Sequence, residues 1–291
     1  MFEKVLVPID LSINSRSTLR CLRHIPGLRQ VEILHVFYNK YALKDPDAYD
    51  PDRENKRLGL EEIEQGVELP GVTVRTRIEE IQGGEIFEPI NRIAAQEGVA
   101  LTLIGKRGRG IIDTLLLGSV AFDVLRYGNT DLLLVNNKGA KDTVLAEQDL
   151  PCPDLFSHAL ICTDFSDPEI ASLCCDEFPW IRKATLFHAV TTGDSKEEVR
   201  SSVDAAQEGL ESMRDAFARI SIPAQVHVSV GSAAEEIISF AEEQDISIII
   251  LKSTGKRGFL PNLLGSTTAR VARYSKKPVI VLRRRSKGGK Q

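Results

Sequence analysis

Short, almost unbroken apolar runs alternate with stretches of helical periodicity along the whole chain. Val5–Ile9, Val31–Val36, Leu101–Ile104 and Leu132–Val135 are brief and mostly apolar, with Glu32, His35 and Thr102 the exceptions, as expected of strands covered on both faces. The pattern predicts strands near residues 4–9, 31–36, 72–78, 100–105 and 131–136, with helices near 13–24, 54–66, 85–97 and 118–127. Further strands are predicted near 158–163, 184–190, 224–230, 246–251 and 278–282. Parallel neighbours need right-handed crossovers, so five strands and four helices wind into an open three-layer α/β sheet.

The chain repeats this plan twice. Lys4–Ser12 matches His158–Ser166, placing Asp10 and Ser12 at the same points beyond an apolar run as Asp164 and Ser166, 154 residues on. His35, one residue before the end of a predicted strand, is matched by His188. Gly98–Gly105 matches Asp245–Lys252 at an offset of 147, which persists to the end. The domains expected are 1–138 and 157–291, joined by a linker at 139–156 in which Gly, Lys, Asp, Pro151 and Pro153 occur without apolar periodicity.

Composition narrows the functional classes. With 291 residues, 42% hydrophobic and 27% charged, each half can bury a core, and disorder or fibre is excluded. The 37 basic residues are outnumbered by 41 acidic ones, a net charge of -4, which argues against a dedicated nucleic-acid binder. The basic run Arg283, Arg284, Arg285, Lys287 and Lys290 reads as a solvated tail, and the charges between Lys44 and Glu68 as a solvated connection and helix face. No apolar stretch reaches membrane-spanning length, since Asp113 interrupts the oiliest region, Ile111–Phe122. The start runs directly into Val5–Val7 without the features of an export signal, so the expected location is the cytoplasm.

Five cysteines in odd number and without CxxC spacing point away from a disulfide framework or a zinc site. Cys21, Cys174 and Cys175 fall on helical apolar stripes and read as core. His35 and His188 lack a second His or Cys at ligand spacing, so packing explains them better than catalysis.

Open α/β sheets bind ligands beyond the carboxyl ends of their strands. Asp10 follows the first strand, and Gly105, Gly108, Gly118 and Ser119 follow the fourth in the spacing Gly-x2-Gly-x9-Gly-Ser. That spacing arises by chance in roughly 1% of chains this long, so its place after a buried strand carries weight. A chain without side chains can approach a polyphosphate closely and aim N–H groups at it. A helix starting at Gly118–Ser119 adds the positive end of its dipole, and Lys106, Arg107 and Arg109 add cationic field. Lys106 is not followed by Ser or Thr, which excludes a Walker A loop. The order Gly-x2-Gly-x-Gly after a late strand excludes a dinucleotide fingerprint.

These residues resemble the universal stress protein family, in a tandem form whose first copy carries the pattern of its ATP-binding subgroup. The likeness rests on Val7–Asp10, Leu34–Val36, and Ile104–Gly105 with Gly108 and Gly118–Val120. The resemblance implies a Rossmann-like fold of the adenine nucleotide alpha hydrolase type, with strand order 3-2-1-4-5. It also implies that Pro8, Ile9, Asp10 and Val36 line the adenine and ribose end, while Gly105, Arg107, Gly108, Gly118, Ser119 and Val120 enclose ribose and phosphates. ATP, or AMP or ADP, would be the ligand, with Mg accompanying it; no metal ligand is assigned and no catalytic residue is named. In the second copy Asp164, Gly255, Gly265 and Ser266 mark the corresponding site, but Lys252 stands where the first glycine should be. A side chain there hinders ligand approach, which favours an empty or differently fitted second crevice.

The function expected is a cytoplasmic stress-response regulator that binds nucleotide. Alternatives are a slow ATPase or phosphotransferase, and an assembly module with vestigial pockets. The resemblance further implies pairing of the fifth strands, Asp131–Asn136 with Pro278–Leu282, as an internal pseudo-dimer, and a tendency to homo-oligomers.

Overall fold

The computed structural model describes residues 2–41, 49–106, 117–136, 152, 154–167, 170–191, 193, 195–253 and 264–283. The chain divides into two compact units, Met1–Pro153 and Asp154–Gln291, each an open, parallel, five-stranded sheet.

In the first unit the order along the chain is β1 (Lys4–Pro8), α1 (Ile13–Thr18) continued by a 3-10 turn (Leu19–His24), β2 (Gln30–Tyr38), α2 (Arg53–Gly66), β3 (Thr73–Ile81), α3 (Phe87–Gln96), β4 (Leu101–Gly105), α4 (Ser119–Tyr127) and β5 (Asp131–Val135). The sheet order is β3-β2-β1-β4-β5. The second unit has β6 (Ala159–Cys162), α5 (Ile170–Glu177), β7 (Ala184–Val190), α6 (Lys196–Arg219), β8 (Ala224–Val230), α7 (Ala233–Glu243), β9 (Ile248–Lys252), α8 (Ser266–Tyr274) and β10 (Val279–Leu282). Its order, β8-β7-β6-β9-β10, is the same winding. Right-handed crossovers dictate where the helices go. Winding from β1 out to β3 puts α1 and α2 on one face, and returning to β4 and β5 puts α3 and α4 on the other.

Burial follows position in the sheet. The inner strands β1 and β6 are buried, β1 from Val5 to Pro8 and β6 throughout, which is why both read as continuous apolar runs; β5, last in its own sheet, is buried as well. The outermost β3 is half-exposed and carries Arg75, Arg77, Glu79 and Glu80. Charges of this kind discourage further strands from adding to an open edge.

Two features differ from the sequence expectation. The helix expected over 13–24 is α-helical only to Thr18. Ser15 and Ser17 turn their hydroxyls back onto the carbonyls of Ser12 and Asn14, at 3.0 and 2.7 Å, and such back-bonding competes with regular helix. The stripe Thr18, Cys21, Leu22 and Ile25 is nonetheless buried. Secondly, Cys21 and Cys152 are joined by a disulfide, with Cα atoms 5.4 Å apart. This corrects the expectation of no disulfide, because spacing along a sequence does not register a pairing made across 131 residues. Cys162, Cys174 and Cys175 are free.

Two measurements check these features. In denaturant, thiol titration should find three reactive cysteines before reductant and five after it. Cys21→Ser should lower the stability of the first unit by about 2–5 kcal/mol in urea unfolding, the range for closing a long loop. In the second unit, burial holds the imidazoles of His158 and His227 below their ordinary range. The unfolded chain therefore takes up protons first as pH falls through about 6.5, and stability declines from there downward. Replacing both histidines with Gln should flatten that decline between about pH 6.5 and 5.

Candidate functional site

The site is assembled by strand pairing. Val5 lies opposite Leu101 and Leu6 opposite Thr102 in the parallel pair of β1 and β4. The same register carried on sets Ile9 level with Gly105, so Asp10 and the glycine-bearing turn leave the sheet side by side on one edge. Beyond β4 the chain comes back to the same edge, since the N–H of Gly118 donates to the carbonyl of Lys106 at 2.8 Å.

The turn after β1 is held by its own side chains. Asp10 Oδ1 accepts from the backbone N–H of Ser12 at 3.1 Å and from the Ser12 hydroxyl at 2.5 Å, while Ser12 Oγ accepts from the N–H of Ser15 and so caps α1. Between them Leu11 takes a left-handed conformation, φ 61°, at a cost of about 1 kcal/mol or more for a non-glycine residue. The second copy repeats the arrangement. Asp164 Oδ1 accepts from the N–H of Ser166 at 3.0 Å, and Phe165 has φ 58°. The aspartate and serine were visible as a repeated pair in the sequence. The strained residue between them was not, because neither leucine nor phenylalanine signals a positive φ.

His35 and His188 explain why these turns stand where they do. Each imidazole donates from Nδ1 to the carbonyl just beyond the first strand of its unit, that of Ile9 and of Thr163, both at 2.8 Å. The backbone bonds Ile9 N–H to Leu34 and Thr163 N–H to Phe187, 2.8 and 3.0 Å, complete the attachment. The histidines are therefore structural positioning groups.

The remaining expected residues fall as follows. Pro8, Ile9 and Val36 are buried against the sheet below the edge. Gly105 ends β4 and is half-exposed, Gly118 is the N-cap of α4, Ser119 is exposed and Val120 half-exposed. Arg107, Gly108 and Arg109 lie outside the described residues, as does Gly255. Gly118 has φ -62° and ψ 155°, angles open to any residue, so a need for positive φ does not explain the glycine. Its lack of a side chain leaves the first turn of α4 without a side-chain cap and without an acidic residue. The N–H groups of that first turn lie at the positive end of the helix dipole, an arrangement suited to an anion. Lys106 is 3% exposed, so its contribution to the field comes from within the protein. Among the described residues no cluster of His, Cys, Asp or Glu could hold a metal ion.

The second edge keeps this frame with other contents. Gly265 caps α8, and its N–H donates to the carbonyl of Ser253 at 2.8 Å. Cys162 occupies the place of Pro8, and burial pushes its thiol well above the usual range, leaving no thiolate to react. Phe165 packs on His188 with ring centroids 4.7 Å apart. Gly209 makes room for it, since a Cβ there would come within 2.8 Å of the ring.

A parallel sheet whose first and fourth strands end together, with a glycine-capped helix turned toward them, defines the class of open α/β domains that take ligands at a switch crevice. The chain belongs to the universal stress protein family, whose model matches residues 1–136 and 182–283. A universal stress protein of Mycolicibacterium smegmatis is 24% identical over 97% of both chains. One from Methanocaldococcus jannaschii is 32% identical, covering 48% of this chain and 98% of that protein. The crystal structure of a universal stress protein from Archaeoglobus fulgidus superposes with a TM-score of 0.64 at 22% identity, covering 97% of each chain, and shares the fold.

The structural role of the histidines has a direct check. His35→Leu leaves the buried Ile9 carbonyl without its donor and should cost about 1–3 kcal/mol in chemical denaturation. His188→Leu, at a half-exposed position, should cost less.

Proposed function

We propose that the first unit binds ATP or a related adenine nucleotide, with Mg as its counter-ion, and that the protein acts as a nucleotide-responsive regulator of a stress response. The observation that carries this reading is the shared edge. Asp10, Gly105 and the uncapped start of α4 leave the sheet together. In the proposed pose, Pro8, Ile9 and Val36 face the base, Asp10 meets the ribose, and the phosphates meet the N–H groups at Gly118–Val120 together with the hydroxyl of Ser119. Arg107 and Gly108, outside the described residues, are the further groups proposed to enclose the phosphates. Membership of the universal stress protein family supports the regulatory role.

The functional domains proposed are 1–138 and 157–291, acting in the cytoplasm, where nucleotide is abundant. Among the described residues no helix is long and apolar enough to cross a membrane.

Gly118→Asp tests the site at a position whose backbone angles suit a side chain. Aspartate is a favoured N-cap, and the backbone angles accept it, yet it sets a carboxylate where the phosphates would lie. Titration calorimetry should show ATP binding to the wild type and about 100-fold weaker binding to the variant, the effect of roughly 3 kcal/mol of repulsion. No heat with any adenine nucleotide would remove the reading. Phosphate release measured alongside separates a binding protein from an ATPase: rapid, metal-dependent turnover lost in the variant would make this an enzyme.

A further inference from the structure

The two units are an internal control for each other, because their crevices share one backbone frame. Gly105 and Lys252 are the last residues of β4 and β9, in the same register against Val135 and Leu282. The turns beyond them are closed by the same bond, Gly118 to Lys106 and Gly265 to Ser253, both 2.8 Å. The aspartate turns match as well, with Asp10 bonded to Ser12 and Asp164 to Ser166.

Against this constancy two positions change together, one from each rim. Where the first unit has Gly105, the second has Lys252. Where the first has Ile13, 52% exposed at the start of α1, the second has Asp167, by the same offset of 154 that relates Asp10 to Asp164. Lys252 Nζ and Asp167 Oδ2 form an ion pair, with side chains 16% and 18% exposed. Neither residue alone would be neutral in effect. A lone ammonium would attract phosphate, and a lone carboxylate would leave the first-glycine position open. Together they cancel in charge and set a joined ammonium and carboxylate where the first unit has the bare Gly105 and an exposed Ile13. Largely withdrawn from water, the pair is also costly to break one-sidedly, since the group left behind would keep its charge while still shielded.

We propose that the Lys252–Asp167 ion pair is a built-in occupant of the second crevice, shutting out nucleotide and limiting each chain to one bound adenine nucleotide; this rests on the reading of the first crevice given above. To enter, a polyphosphate has to displace a carboxylate already bound to the ammonium and then lie beside it.

Native mass spectrometry of the full chain with Mg-ATP counts the sites. The wild type should hold one nucleotide, and Lys252→Gly with Asp167→Ile, which installs the first unit's residues, should hold two. Adding Gly118→Asp to that pair should bring the count back to one. The idea is overturned if the wild type holds two, if Gly118→Asp alone still holds one, or if the folded double variant gains none. A wild type that binds no nucleotide defeats the reading of the first crevice. The double variant still decides the ion pair in that case, because a gained site supports it and no gain overturns it. Should the double variant not fold, Lys252→Ser with Asp167→Asn removes both charges with less change in shape, and the same counts apply.

Discussion

The parallel pairing of the first and fourth strands is the constraint on which the site depends. It is a backbone interaction between segments almost a hundred residues apart, and it fixes Ile9 and Gly105 at one level of the sheet. Everything chemical is then local. A two-residue turn holds Asp10, a glycine cap exposes the start of α4, and one backbone bond from Gly118 to Lys106 returns the chain to the edge. A slip of one residue in that pairing would turn neighbouring side chains to opposite faces. The imidazole bonds from His35 and His188 hold the neighbouring pairing, fixing the carbonyl just beyond each first strand to the second.

Most of this architecture was legible in the sequence because interior parallel strands have no choice of composition. Covered on both faces, β1, β6 and β9 must be apolar at successive positions, and the repeat shows the pattern in both copies. Boundaries drifted where hydroxyl side chains compete with the backbone, as at Ser15 and Ser17, or where an edge strand such as β3 alternates charged and apolar residues. The candidate site was legible as far as its residue types and their order, since Asp and Ser recur beyond the first strand of each copy and Gly-Ser before each last helix, where they also serve as turn formers and helix caps.

What could not be read was whatever depends on contact across the fold. Cys21 has an ordinary core position in its helix, and nothing near it in sequence announces Cys152. The ammonium of Lys252 was visible as an intruder at a glycine position. Its carboxylate partner was not, because Asp167 becomes meaningful only once the first and fourth strands are seen to end together. Duplication supplied the missing signal here, since two substitutions in one copy acquire sense when they meet.

The disulfide turns much of the first unit into a covalent ring running from Cys21 to Cys152, with Gly105, Gly118 and Ser119 inside it and Asp10 outside. A protease that cut a peptide bond within the ring would open it without releasing a fragment. The severed pieces would stay tethered through sulfur, in register to re-form the crevice, for as long as the surroundings lack a reductant.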